Sequence, residues 1–200
     1  MARQKKPMDT MKWLSLAVCT DVGRECLTGI WGEDGALVST DGHRMHVAHG
    51  VSGKGWVDGI DRGQFPCWRQ VIPTNVSVRA QFTDESLDAR GLKALEFCGK
   101  IYPREGVRVG VRTVVVEGED AFCELYFTAK YPELIVEGKL APRVTSKSTP
   151  WSVLLNPRHL LDALKMGGAL HLLSTPTEHG VVVIRNDCGR EAYVMSMRER

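Results

Sequence analysis

Three histidines, His43, His46 and His49, stand at intervals of three. On a strand His43 and His49 would share one face and His46 the other. No carboxylate or cysteine stands at a spacing that would complete a zinc shell around them, so no metal is expected. The six cysteines, at 19, 26, 67, 98, 123 and 188, form no C-x-x-C pair. Most sit among apolar residues and read as free, buried thiols of a reducing cytoplasm. The acid pairs Asp84/Glu85 and Glu117/Glu119 fit a helix start and a turn better than paired acid and base. The chain has no G-x-S-x-G, P-loop, H-E-x-x-H or G-x-G-x-x-G. These residues predict neither an enzyme nor a cofactor. The chemistry left is binding: apolar side chains to fill a slot, and basic groups to meet charge.

The stretch that could organise such a site is LVSTDGHRMHV, Leu37 to Val47. Leu37 and Val38 end an apolar run. Thr40, Asp41 and Gly42 mark a turn or bulge, and His43 and Arg44 emerge beside it. Met45 and Val47 then alternate with His46, as on a strand with one buried face.

The elements that would carry this stretch follow from periodicity. Met11, Leu14 and Val18, widened by Trp13 and Leu16, predict a helix from Met8 that ends near Asp21 and Gly23. Asp9 or Thr10 would cap it. Strands follow at 27–31 and 36–39, joined by a turn at 32–35. Residues 49–64 hold five glycines, with room for a short strand at Trp56 and Val57 but no second helix. After 65 come a strand at 76–82, a helix to about Cys98 with Gly91 as its weak point, and strands at 106–117 and 122–128. Residues 139–150 read as a loop. A strand at 151–155 leads to Asn156 and Pro157, a helix start, and Gly167-Gly168 stops that helix. Strands at 170–174, 181–185 and 192–197 close the chain. The sum is one helix-plus-strands unit before Phe65 and two after it.

Four motifs in order carry a resemblance: TDGHRM at 40–45, FPCWRQVIP at 65–73, LNPRHLLDALK at 155–165 and YVMSMR at 193–198. Together they resemble the bacterial replicative sliding clamp, the β subunit of DNA polymerase III, from about Met8 to Arg198. The resemblance implies an α+β DNA-clamp fold, with helices on one face of antiparallel sheets, amounting to about one and a half clamp domains. Residues 1–7 would be a basic flexible tail, 8–64 a partial clamp-like domain of one unit, and 65–200 a complete one. The family's first domain and one half of its middle domain have no counterpart here.

In the family, the matching strand, crossing and tail wall a pocket that takes short peptides of polymerases and clamp loaders ending in Leu and Phe. The matching positions are Leu27, Thr40, Gly42, His43, Arg44, Met45, Pro66, Gln70, Val71, Val194, Met195, Ser196, Met197 and Arg198. Gln70 stands where the family usually has Arg, Ser196 where it has Pro, and Glu199-Arg200 follow. The helices of the family face duplex DNA and touch phosphates weakly and without sequence preference. Lys12, Arg90, Lys93, Arg158 and Lys165 are the candidates for that role.

The resemblance thus implies a processivity factor that encircles duplex DNA as a homo-oligomer, without a membrane segment and in the cytoplasm. Its alternative is a non-encircling, clamp-derived module that captures clamp-binding peptides and competes with or redirects a host clamp. Three units are an odd number. The first, with Trp13, Leu16 and Val18, is therefore expected to cover its apolar stripe against another copy. Composition permits either reading: 200 residues, 43% hydrophobic, are enough for a core, and a net charge of +2 is no strong nucleic-acid footprint.

Overall fold

A computed structural model describes residues 8–115, 120–146, 150–176 and 180–198. The expected tail at 1–7, the pair Glu117/Glu119 and the final Glu199-Arg200 lie outside the described residues.

Asp9 starts the first helix, α1 (Thr10–Ser15), by accepting the amides of Met11 and Lys12 on its side chain. The helix is six residues long and stops well short of Asp21. The chain then peels away, because the Cys19 amide bonds the Leu27 carbonyl rather than continuing the helix. Residues 27–31, expected as a strand, are instead the end of a 3₁₀ turn (Val22–Leu27) capped by Asp21, and an approach to β1 (Trp31–Glu33). Strands β2 (Ala36–Thr40) and β3 (Arg44–His49) follow, and the glycine-rich stretch contributes β4 (Gly55–Trp56).

The crossing, with a 3₁₀ turn at Trp68–Val71, leads into β5 (Ser77–Thr83) and α2 (Ala89–Ile101), which Asp88 caps. Then come β6 (Val107–Val114), β7 (Phe122–Tyr131), β8 (Leu134–Val144) and β9 (Trp151–Leu155). Helix α3 (Pro157–Leu164) starts on the Asn156 side chain, with Pro157 at its first position. Strands β10 (Ala169–Ser174), β11 (Val181–Asn186) and β12 (Arg190–Met195) end the fold. The loop expected from 139 is strand as far as Val144. As an edge strand, β8 tolerates Pro142 and shows polar residues to water, so it lacks the pattern of a buried strand.

Two antiparallel sheets result. The larger has the order β4-β1-β2-β3-β12-β11-β10-β5, and the smaller β8-β7-β6-β9. Each unit after the crossing lends its first strand to the other's sheet: β5 pairs β10, and β9 pairs β6. The first unit joins through β3 on β12, with Met45 opposite Tyr193. Residues 8–64 and 65–200 therefore share one sheet and one core.

That core lies between the helices and the inner faces of both sheets, with Trp13, Leu95, Phe127, Leu160 and Ile184 among its members. The Arg190 guanidinium ties the start of α1 to the end of α3, donating to the carbonyls of Met8 (2.7 Å) and Met166 (3.2 Å) and to Thr10 Oγ1 (2.7 Å). A second, smaller cluster occupies the opposite face of the large sheet, where Phe65 and Trp68 of the crossing cover Val38, Met45 and Tyr193.

The expected orphan stripe is not an orphan. Trp13, Leu14 and Ala17 are buried within the single chain, and Leu16 and Val18 are half-buried. The Trp13 indole donates to the Asp162 carbonyl of α3 (3.1 Å). The stripe is covered by β2, β3 and α3 of its own chain. Of the cysteines expected as buried thiols, Cys19 and Cys98 are buried, Cys26 and Cys123 half-buried, and Cys67 and Cys188 exposed. No helix among the described residues is long and apolar enough to cross a membrane.

Candidate functional site at the junction of two units

The site is built on the turn between β2 and β3. Thr40 Oγ1 donates to the Arg44 carbonyl (2.6 Å) and accepts the Gly42 amide (3.0 Å). Asp41 Oδ1 accepts the amides of His43 (2.9 Å) and Arg44 (3.0 Å). Gly42 sits at φ +89°, which other residues resist, and a Cβ there would lie 2.9 Å from Arg24 Nη1. The same Arg24 nitrogen donates to the Asp41 carbonyl (3.0 Å). The T-D-G-H-R spacing thus folds itself into a closed knot.

From this knot Arg44 turns inward. It is buried, with Nε on Asp41 Oδ2 (3.0 Å) and Nη1 on Asp162 Oδ2 of α3 (2.5 Å). Asp162 also takes the Lys165 ammonium (2.6 Å). Burial alone would push the Asp162 carboxyl up, but hydrogen bonds from Lys165 and Arg44 outweigh it and hold the carboxyl low.

His46 lies in the same layer. Its ring stacks on Trp13 at 4.2 Å, and Nδ1 bonds the Trp13 carbonyl (3.0 Å). Burial pushes its pKa down to about 4, against the pull of that carbonyl. Neutral His46 donates from Nδ1 and leaves Nε2 buried with no hydrogen-bond partner among the described residues. His159, at the start of α3, is likewise lowered to about 4 by burial, with help from Arg44.

The expected pocket residues do not converge on one face. Strand alternation sends Arg44 and Val194 to the helix side, while Met45 points to the face that Phe65 and Trp68 cover. There Arg44 is bonded to two carboxylates, and Val194 lies in the core. Met45 is buried and packs with Tyr193, Phe65 and Trp68. Around it the surface is open. Pro66, Gln70 and Val71 are exposed on the crossing, Val71 by 63%. Met195 is half exposed, and its amide bonds the His43 carbonyl (3.0 Å). The exposed His43 ring faces His159 at 6.4 Å. Leu27 is half-buried, where its carbonyl holds Cys19.

Past β12 the tail leaves this place. The Ser196 amide bonds the Gly180 carbonyl, and the Met197 amide bonds the Leu154 carbonyl of β9 (2.8 Å). Met197 and Arg198 thereby reach an open groove of about 590 Å³ on the outer face of the small sheet. So the structure brings His43, Met195 and the start of α3 together, and sets Met197 and Arg198 at a neighbouring surface. His159 and Asp162 are the participants that sequence reading missed. They lie in the same LNPRHLLDALK start, three residues apart on one helix face. The three histidines occupy separate environments, with His49 exposed beside Glu191 (3.4 Å).

The five candidate DNA-facing residues are all exposed on the helices. Lys165 is committed to Asp162. On α2, Glu96 pairs with Lys100 (2.8 Å), and Phe97 and Ile101 are also exposed.

No protein-family model matches the chain, and no curated protein matches it. Solved structures do. The DNA polymerase sliding clamp of Pseudomonas aeruginosa superposes with a TM-score of 0.69 at 17% identity, over 94% of this chain and 63% of that one. The DNA polymerase III β subunit of Thermotoga maritima gives 0.68 at 14% identity, over 100% and 69%. The sliding clamp of Bartonella birtlesii, bound to griselimycin, gives 0.65 at 18%, over 100% and 69%. The chain has the bacterial sliding-clamp fold, and it spans roughly two thirds of the length of the clamps it matches.

Proposed function

We propose that the chain is a shortened sliding-clamp-like processivity factor. Copies join into a ring around duplex DNA, and a polymerase or loader peptide seats beside His43, Met195 and the exposed Val71. The observation that carries this reading is the common side of the helices. All three pack on the inner faces of the sheets and turn Lys12, Arg90, Lys93 and Arg158 to solvent. Charges so placed suit phosphates met loosely, and the reading assigns the chain no catalysis.

Strand edges supply the means of assembly. β8 is eleven residues long, ends the small sheet and exposes Leu134 and Ile135, by 39% and 63%. The far end of β8 is covered by α2 and by the Gln81–Thr145 bridge, but its start at Leu134 and Ile135 is an exposed apolar edge, a template for another chain. At the far end of the large sheet stands β4, only two residues long. A head-to-tail contact between these ends continues the sheets from copy to copy.

A test is duplex binding followed against salt. Binding is expected to be weak, indifferent to sequence and linear in log salt, with a slope of about −0.9 for each phosphate neutralised. Changing Lys12, Arg90 and Lys93 together to Glu abolishes it. Tight binding to one sequence, or an unchanged slope in the triple variant, overturns helices that face DNA.

A second reading is a non-encircling module that captures clamp-binding peptides and competes with a longer clamp. The burial of Trp13, Leu14 and Ala17 inside one chain favours it, since a monomer then leaves the first unit covered.

A further inference from the structure

We propose that the outer face of the small sheet is a docking groove for an acidic peptide segment, continuous with the peptide seated at the junction; the proposal rests on the peptide-capture reading above. The inner residues of β6 and β7 face the core, so alternation turns Arg108, Arg112, Tyr126, Thr128 and Lys130 outward. Two open hollows share Tyr126, Thr128 and Glu137 on this face, one of about 590 Å³ and one of about 210 Å³.

Among the described residues, six cations line the two hollows: Arg104, Arg108, Arg112, Lys130, Lys139 and Arg198. Glu105, Glu124 and Glu137 oppose them. Positive charge therefore exceeds negative around the hollows, in a chain whose whole net charge is only +2. The fully buried Glu124 takes two of the cations, Arg112 (2.7 Å) and Lys139 (3.0 Å). The exposed Arg104, Lys130 and Arg198 face the larger hollow instead.

Charge complementarity therefore calls for acids. The interspersed Glu105 and Glu137 disfavour a uniform phosphate backbone. A peptide can instead set its acids on the cations and its amides on Glu137 and Thr128. The route is continuous, because the Met197 amide is bonded to Leu154 and carries the tail from the junction into the hollow.

The test uses fluorescence polarisation at low salt with four labelled probes. They are an apolar peptide ending in Leu-Phe, the same peptide with three aspartates added at its start, a purely acidic peptide, and an oligothymidine of equal charge. Each meets the wild type and Arg104→Glu/Lys130→Glu, two exposed changes whose melting temperature should stay within a few degrees. The aspartates are expected to tighten binding about tenfold in the wild type and to add nothing in the variant. If the apolar peptide binds and the aspartates add nothing, or the gain survives in the variant, the groove is overturned and the junction stands. If the apolar peptide fails while the acidic probes bind and lose that binding in the variant, the junction reading falls and the groove stands. Oligothymidine binding more tightly than the acidic peptide also overturns the groove, by making the face a nucleic-acid surface.

Discussion

The residue that decides most at the junction is Arg44. In the sequence it is legible as a polar group beside a turn, which suggests a pocket rim. Alternation places it on the helix side instead, between Asp41 and Asp162. Nothing local in the sequence reveals that partner, because Asp162 is 118 residues away. Removing one member of a buried ion group strands the others. Arg44→Met is expected to lower unfolding stability by about 3 kcal/mol, and Arg44→Met with Asp162→Leu to recover part of it, as read by denaturant titration. Equal losses in the single and double variants would show that Asp162 does not depend on Arg44.

His46 makes a second prediction at this scale. Its folded pKa lies near 4 and its ordinary value is 6.5. The unfolded chain therefore binds a proton below pH 6.5 that the folded chain refuses until about pH 4. Stability held above pH 6.5 is lost as pH falls through that window. At 1.36 kcal/mol per unit the loss by pH 4.5 is about 3 kcal/mol from His46 alone, and His159 adds to it in the same direction. His46→Phe keeps a ring on Trp13 and removes the proton. Its unfolding free energy should change less between pH 7.5 and 4.5 than that of the wild type, and a slope equal to the wild type's would assign the loss to other groups.

Among the elements, α2 shows what a single glycine settles. Gly91 reads as the weak point of a helix, and it lies inside one, in its first turn. A Cβ there would fall 1.7 Å from the Lys139 carbonyl oxygen of β8, so the helix can approach the sheet only without a side chain. Gly99, in the same helix, would meet nothing nearer than 3.6 Å. Gly99→Ala should then stabilise by about 0.5–1 kcal/mol, as helix propensity dictates. Gly91→Ala should destabilise by about 2 kcal/mol or more. The same sign for both variants in thermal melts would contradict the close approach of α2 to β8.

Elements with strong local signals were legible: the Asn156-Pro157 start of α3 and the strands that follow it. The length of α1 was not, because its helical pattern outruns Ser15 and only the Cys19–Leu27 bond ends it. Nor was β8, whose polar face and Pro142 belong to a sheet edge. The motifs of the site were legible as types. Which face each residue took was not, since that depends on the register of β3 against β12.

For the whole molecule, the odd unit count suggests an apolar stripe left for a neighbour. The buried Trp13 removes that reason and shifts the case for assembly to the strand edges, where β8 presents Leu134 and Ile135. A ring needs its sheets continued from copy to copy at both ends. Encirclement is tested most directly by the mass in solution, from light scattering at micromolar concentration. A ring predicts a homo-oligomer at a whole multiple of 22.2 kDa, reduced to single chains by Ile135→Lys on the β8 edge. A wild type that stays at 22.2 kDa across that range contradicts the ring and leaves the peptide-capturing monomer in its place.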